Sequence, residues 1–465
     1  MALIDSLHMA NPWWRTGRGN PGYRYPTKRP EFSSLLVSMD RTRIQILVGP
    51  RRVGKSTLLH QAISHLLETG TRPNRILFFS GDDPALQLHS QDLGTILEAF
   101  SVEVLNEAFG EFQEKVYIFI DEVHFLPNWQ KWIKSYYDRR LGIRFLLSGS
   151  SATHLFQGSN ESLLGRVDTL EVLPLTASGF AHFYGVCRKD ARIGEFETLL
   201  PEFSVFEKPE AYFEAVRKEM YRLSSFQPSV TAMLREHLLA GGYPEYFEAD
   251  SMAGWQRRLA EDIVTQGLYR DIVSNHRIKS PELLEKLLYC IAANNGQAFA
   301  FTTLAQTLGV DTETVSSYLG FLQIAFLVSI QENHSTNVMK TIRKNKKLYI
   351  VDNGICNALI RQDELNSTRE GSLVEASCVQ TVRTLAEERF YRMEYWREGD
   401  SEVDIVLDRK SDLLPIEVKY RNDPKDIAGL KVFMKRFGST VGLVVTKDLL
   451  EKADGIVFCP YWLMR

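Results

Sequence analysis

The run Gly49-Pro50-Arg51-Arg52-Val53-Gly54-Lys55-Ser56 spells G-x-x-x-x-G-K-S, and Thr57 follows it. Apolar residues 44–48 precede it at strand length, and Leu58, Leu59, Ala62, Ile63, Leu66 and Leu67 follow at helical spacing. A strand, a glycine-rich turn and a helix start in that order predict a phosphate loop. Glycines let backbone N–H groups curl around phosphate oxygens, and the first N–H groups of a helix, with the helix dipole, favour an anion. Lys55 then reaches the β- and γ-phosphates of ATP or GTP, and the Ser56 hydroxyl ligates Mg²⁺. A second apolar run, 116–120, ends in Asp121-Glu122. This reads as a strand whose Asp121 holds Mg²⁺ and whose Glu122 orients and polarises the attacking water. A third run, 144–147, leads into Ser148-Gly149-Ser150-Ser151, which puts a polar side chain, Ser150, at a strand tip where it can sense the γ-phosphate.

A separate set of chemical residues lies in the last hundred positions: Glu375, Asp404, Glu417 and Lys419. Glu375 falls in an amphipathic helical stretch, Asp404 opens the apolar run 405–407, and Glu417 and Lys419 flank Val418 on a further strand. Side chains alternate along a strand, so Glu417 and Lys419 share a face. Glu375, Asp404 and Glu417 can then hold one or two Mg²⁺ ions against a phosphodiester, with Lys419 positioning the water or offsetting the developing charge. The order helix Glu, strand Asp, Glu-x-Lys matches the restriction-endonuclease-like pattern. It is equally open to an inherited fold whose acids no longer cut.

Placing these groups requires several elements. Strand runs at 44–48, 76–79, 116–120, 144–147 and 168–173 alternate with helix-length segments, predicting an α/β fold with a parallel sheet. Residues 181–280 read as helical, broken at Gly241-Gly242-Tyr243-Pro244. Residues 301–308 and 312–326 read as two helices around Gly309, with Ala305, Gly309 and Val315 at helix-turn-helix spacing. The second of these helices exposes Thr312, Glu313, Thr314, Ser316 and Ser317 but no Lys or Arg, which weakens DNA contact because phosphate neutralisation supplies most of that affinity. Arg343, Lys344, Lys346 and Lys347 follow and are candidates for a basic wing; packing between domains is the alternative use. The segment 11–30 mixes five basic residues and no acid with Trp13, Trp14, Tyr23 and Tyr25. It suits either stacking on a nucleic-acid strand or packing onto the next domain.

The 465 residues exceed one ordinary core and predict three or four domains. A formal net charge of −3 provides no global field for nucleic acid, so such binding needs local patches. The five cysteines lack metal-ligand spacing, and no apolar run approaches the ~18 residues of a membrane span, which together fit a reducing cytoplasm and no membrane partner.

With these features in place, the chain resembles prokaryotic AAA+-type P-loop ATPases joined to a C-terminal winged-helix and restriction-endonuclease-like region. The resemblance is carried by Gly49 to Ser56, Asp121-Glu122-Val123-His124, Ser148 to Ser151, Leu164-Gly165-Arg166, Leu173-Pro174-Leu175-Thr176, Gly241 to Pro244, Leu268-Tyr269-Arg270-Asp271, Glu402-Val403-Asp404 and Glu417-Val418-Lys419. It implies an N-terminal segment (1–30), an ATPase domain (31–180), a helical lid (181–280), a winged-helix module (281–360) and a restriction-endonuclease-like α/β domain (361–465). It also implies ATP with Mg²⁺ as the nucleotide, DNA as partner, and a homo-oligomer, with a hexamer as one arrangement. Phosphate loop, helix-turn-helix and nuclease-like acids in one chain favour an ATPase that binds DNA and remodels, translocates along or cuts it, with a nucleotide-switched interaction protein whose C-terminal domain only contacts partners as the alternative. Arg166 is the candidate arginine finger, with Arg139 and Arg140 as competitors and a structural ion pair as the alternative role.

Overall fold

The computed structural model of the chain describes residues 3–464 except 24, 26, 90–91, 112–113, 150–162, 164, 191–192, 194–207, 274–277, 279, 336–343, 410–411 and 425. The chain divides into two compact units, one ending at Leu173 and the other beginning at Pro174.

The first unit is built on β1 (Ile44–Val48), β2 (Ile76–Ser80), β3 (Val116–Asp121), β4 (Ile143–Gly149) and β5 (Val167–Glu171). They form one parallel sheet in the order β2-β3-β4-β1-β5. β1 and β3 are buried at every position, as expected of strands covered on both faces, and this is why they read as unbroken apolar runs rather than alternating ones. Because all five strands are parallel, their carboxyl ends share one edge. The turn after β1, the acids ending β3 and the serine in β4 must therefore meet there.

The edge strand β2 would leave its outer backbone groups unpaired, and the N-terminal segment covers them. Asn11 acts as a strand residue through its side chain: Nδ2 donates to Phe78 O at 2.8 Å and Oδ1 accepts from Phe78 N at 2.7 Å. The indole N–H groups of Trp13 and Trp14 both donate to Ile76 O, at 3.1 and 2.8 Å. Of the two uses open to this segment, the structure shows packing for both tryptophans.

In the second unit, the Leu-Pro-Leu-Thr and Gly-Gly-Tyr-Pro motifs prove to be one structural joint. Leu175 N donates to Gly242 O at 2.7 Å, and a Cβ on Gly242 would lie 2.2 Å from Leu175 O, which only glycine avoids. The buried Asp352 carboxylate accepts from Gly242 N at 2.7 Å and caps the helix Asn353–Leu359 through Ile355 N at 3.0 Å. The helices Ala177–Cys187, Pro209–Leu223 and Gln227–Ala240 bear out the helical reading of the segment that starts near 181.

Next comes a helix, Pro281–Ala293, then β6 (Ala298–Phe299), the helices Phe301–Leu308 and Thr312–Ile324, β7 (Val328–Gln331) and β8 (Lys346–Ile350). The three strands form an antiparallel sheet with β8 in the middle. Gly309 ends its helix at φ +68°, a left-handed turn that favours glycine, and Asp311 caps the next helix through Thr314 N at 2.6 Å. Beyond these lie the helix Ser367–Arg389, β9 (Arg392–Glu398), β10 (Ser401–Asp408), β11 (Leu413–Val418), the helix Ala428–Phe437, β12 (Gly442–Thr446), β13 (Glu451–Ala453) and β14 (Ile456–Pro460). These strands make a mixed six-stranded sheet, β13-β14-β12-β11-β10-β9. Trp396, Val403, Val406, Leu430, Phe433 and Val444 form a buried core between it and the helix Ala428–Phe437. The small sheet is fastened to the large one by backbone: Tyr395 N donates to Glu332 O at 2.9 Å and His334 N to Tyr395 O at 2.6 Å. The segments expected as lid, winged helix and nuclease-like domain thus fall within one compact unit. Among the described residues, no helix is long and apolar enough to cross a membrane.

Candidate functional site

The turn after β1 is shaped by close backbone approach. A Cβ on Gly49 would lie 2.1 Å from Val172 O, and Gly54 at φ +100° is the N-cap of the helix Lys55–Glu68. Val53 is fully buried and pins the loop to the core, while Arg52 adopts a left-handed φ of +60°. The first N–H groups of that helix have no partner within it, and the loop aims them at the sheet edge. Lys55 is 5% exposed and donates from Nζ to Gly49 O at 2.9 Å and Pro50 O at 2.8 Å. Its ammonium therefore lies inside the loop. Ser56 and Thr57 follow in the first helical turn.

A residue that sequence reasoning passed over completes the loop. Arg29, 5% exposed, donates from Nη1 to Val53 O at 2.6 Å and from Nη2 to Leu173 O, and pairs with Glu31 at 3.2 Å. It clasps the phosphate loop to the chain after β5. Arg29→Met should lower the stability of the unit by about 3 kcal/mol, the scale of charge-assisted hydrogen bonds lost from buried carbonyls. Chemical denaturation measures this.

At the end of β3, Asp121 is 7% exposed and its Oδ1 accepts from the Ser148 hydroxyl, while Ser148 Oγ in turn accepts from Glu122 N at 3.1 Å. Ser148, fully buried in β4, thus sets both acids. β3 and β1 flank β4, so the acids and the loop stand about 10 Å apart across two strand spacings, room for a phosphate and its metal. The sequence placed the polar strand-tip role on Ser150, which lies outside the described residues.

Glu122 takes a left-handed backbone, φ +46° and ψ +47°, unusual for a non-glycine residue and typical of residues held in place for function. Its Oε2 is buried without a hydrogen bond, with His124 Nδ1 3.4 Å away. Burial pushes the Glu122 carboxyl up to about 6; Lys55 and Arg51 pull it down, and Asp121 and Asp82 push it further up. This is the environment of a general base near neutral pH. Loop amides, an ammonium, a hydroxyl and a fixed carboxylate on one edge fit a magnesium-bound nucleoside triphosphate. Arg166 pairs with Asp138 at 2.8 Å at the end of the helix Trp129–Asp138.

The second set of acids also comes together, around a cation that the sequence did not assign to it. Asp404 sits at a register shift in the β9–β10 pairing, between Val403 and Val406, a bulge that re-aims a side chain. Its Oδ2 accepts from Val418 N at 2.9 Å. Glu375 reaches in from the helix Ser367–Arg389 and accepts from the Tyr349 hydroxyl at 2.7 Å. Glu417 pairs with Lys419 at 2.6 Å, as expected for side chains sharing a strand face. Between them lies the Lys347 ammonium from β8, 2.8 Å from Glu375 Oε1, 2.9 Å from Glu402 Oε1 and 2.9 Å from Asp404 Oδ1.

Electrostatics follow that arrangement. Burial raises Asp404, but the Lys347 ammonium, the Val418 N–H and Lys419 outweigh it and hold the carboxyl below its usual value. Burial lowers Lys347, but Asp404, Tyr349, Glu375 and Glu402 hold it well above the usual lysine value. Burial, with Asp404 beside it, pushes the Glu417 carboxyl up, and Lys419 and Lys347 pull it back down. Among the described residues, no three His, Cys, Asp or Glu side chains converge as metal ligands do. Of the expected metal ligands, Glu375 and Asp404 meet at the Lys347 ammonium, while Glu417 is held by Lys419. The candidate wing is likewise engaged within the unit: Lys344 donates to Asn333 Oδ1 at 3.0 Å and Lys346 pairs with Glu332, while Arg343 lies outside the described residues.

Comparison with known proteins agrees with the first unit and leaves the second unassigned. Residues 41–181 match the family described as AAA domain, 231–366 a Domain of unknown function (DUF8612), and 370–464 a Domain of unknown function (DUF4143). An uncharacterised protein of Haemophilus influenzae is 23% identical over 84% of this chain and 85% of its own length. One from Methanocaldococcus jannaschii is 24% identical over 91% of this chain and 85% of its own length. Among solved structures, the Walker-type ATPase PABY2304 of Pyrococcus abyssi aligns with a TM-score of 0.40 at 17% identity, covering 72% of this chain and 95% of that one. The Thermotoga maritima RuvB Holliday junction branch migration motor aligns with a TM-score of 0.26 at 17% identity, over 65% and 89%. Loop, acids, sheet order and family match agree that residues 41–181 are an AAA-type P-loop ATPase domain.

Proposed function

We propose that this chain hydrolyses ATP between the phosphate loop and the β3 acids and uses that cycle to switch its own assembly. The observation that carries the hydrolysis is the arrangement of Lys55, Asp121, Glu122 and Ser148 on one sheet edge. The loop amides from Gly49 to Ser56 hold the phosphates, and Lys55 leaves its two loop carbonyls for the phosphate oxygens. Ser56 and Asp121 would hold Mg²⁺, which would supply positive charge to offset that on the transferred phosphoryl group. Glu122 takes the proton of the attacking water, with its backbone fixed by Ser148. In this reading the unit from Pro174 contains a winged-helix module and a restriction-endonuclease-like domain that contact partners without cutting. The order helix, β6, two helices, β7, β8 supports the first, and helix, β9, β10, β11, helix, β12 the second. Turnover should be slow and indifferent to DNA, and Glu122→Gln should hold one oligomeric state in sedimentation experiments. A sedimentation pattern independent of nucleotide contradicts the switch.

A second reading makes DNA the partner, with hydrolysis used to remodel it, translocate along it or cut it. Two topologies used elsewhere on nucleic acid, joined in one unit, favour it. The absence of Lys and Arg from the helix Thr312–Ile324 and the internal engagement of Lys344, Lys346 and Lys347 speak against it. ATP turnover raised several-fold by duplex, single-stranded, forked or four-way DNA would establish this reading over the first.

A further inference from the structure

The acids expected to hold Mg²⁺ do not fit a metal in this chain. An ammonium has three N–H donors, and Lys347 has three carboxylate oxygens at 2.8–2.9 Å, one each from Glu375, Glu402 and Asp404. Its donors are all used, and its side chain is 3% exposed. The other face of Asp404 is taken by Val418 N, and the one Glu417 oxygen that is paired is held by Lys419. A divalent ion would have to displace a fully bonded, buried cation; Glu417, held by Lys419 through Oε1, offers only its buried Oε2, which has no hydrogen-bond partner.

We propose that Lys347 is the resident cation of this pocket, standing in the place of a catalytic metal and tying the small sheet to the large one. Reading the large sheet as restriction-endonuclease-like rests on the proposed function; the lysine's occupancy of the acid pocket does not. The lysine comes from the middle strand of the three-stranded sheet, and two of its acids, Glu402 and Asp404, come from β10 of the six-stranded sheet. Alongside the backbone bonds between Tyr395 and residues 332 and 334, this ion cluster is a second fastening between the two sheets. The acids are kept for what they hold together, and phosphodiester cleavage is absent.

The test uses the full chain carrying Asp121→Asn, which weakens metal binding at the nucleotide site, and reads Mn²⁺ binding by electron paramagnetic resonance without nucleotide. With Lys347 present, no Mn²⁺ should bind in the submillimolar range beyond what remains at the nucleotide site. With Lys347→Gln added, one further site should appear, and Asp404→Asn should remove it. Mn²⁺ bound with Lys347 intact and lost in Asp404→Asn would overturn the proposal, as would a folded Lys347→Gln chain that gains no site. Should Lys347→Gln fail to fold, thermal unfolding of the Lys347 chain decides: Mn²⁺ in excess should leave its Tm unchanged, and a rise that Asp404→Asn abolishes contradicts the proposal. Plasmid incubated with Mn²⁺ and the unsubstituted chain should stay uncut. ATP turnover of that chain is measured in parallel; its absence would count against the ATPase reading and leave the Mn²⁺ result standing.

Discussion

Alanine at position 55 should reduce ATP turnover by ~10²–10³-fold or more, the scale for removing one preorganised charge donor from a transition state. The loop would lose the buried ammonium that lies between Gly49 O and Pro50 O. The fold should survive, because the Lys55 ammonium bonds two loop carbonyls that water can serve instead, while Val53 and Arg29 continue to pin the loop. Phosphate release and far-ultraviolet circular dichroism on the same preparation separate the two effects. Turnover within a few-fold of the unsubstituted chain would mean that hydrolysis takes place elsewhere.

Glu122→Gln should have a comparable effect by another route. Removing a general base costs ~10²–10⁴-fold, but the phosphate cradle is untouched, so Mg-ATP should still bind. The same group predicts a pH profile. With Glu122 titrating at about 6 in the free chain, kcat/KM for Mg-ATP should be flat above pH 7 and fall tenfold per pH unit below about 6. The residual activity of Glu122→Gln should lack that limb.

Stability runs in the opposite sense. The folded chain holds this carboxyl above its unfolded value of 4.5, so the ionised form opposes folding, and the loss develops as pH rises from 4.5 through about 6. At pH 7 that loss is about 2 kcal/mol, and the uncharged glutamine should recover it as a higher Tm. At pH 4 the two chains should unfold together. A Tm that falls in Glu122→Gln at pH 7 would mean that the charge is stabilising and its environment has been misjudged.

Most of the parallel sheet was readable because β1 to β4 are largely buried and so write themselves as short apolar runs; the runs at 44–48, 76–79, 116–120 and 144–147 all became strands. Gly49 to Ser56 and Asp121-Glu122 were readable because their chemistry is local in sequence. Arg29 was not, since its partners, Val53 O and Leu173 O, are backbone atoms at separations of 24 and 144 residues, and any arginine can bond a carbonyl. The part Ser148 plays in setting Asp121 and Glu122 was not readable, because a serine in the polar run 148–151 does not say which neighbouring strand it bonds.

The acid cluster shows the limit most clearly. Glu375, Asp404, Glu417 and Lys419 could be read from their order; Glu375 and Asp404 meet at one ammonium, and Glu417 pairs with Lys419. Lys347 could not, because it stands beside Lys344 and Lys346 in a stretch that reads as solvated basic wing. Only tertiary structure turns one of those lysines into the cluster. The same contact changes what the acids can do, so the missing residue mattered more than the four found. Arg166 was ambiguous for a related reason, as an arginine that pairs with Asp138 and one that reaches a neighbouring subunit look alike in sequence.

The central claim is that a magnesium-bound triphosphate is held between the loop after β1 and Asp121. Calorimetric titration of Mg-ATP into the Glu122→Gln chain tests it most directly, because binding is then read without hydrolysis. The account predicts one nucleotide bound per chain, with binding lost when Lys55→Ala is added. No binding at saturating Mg-ATP by a folded Glu122→Gln chain, or binding that persists undiminished without Lys55, would contradict it.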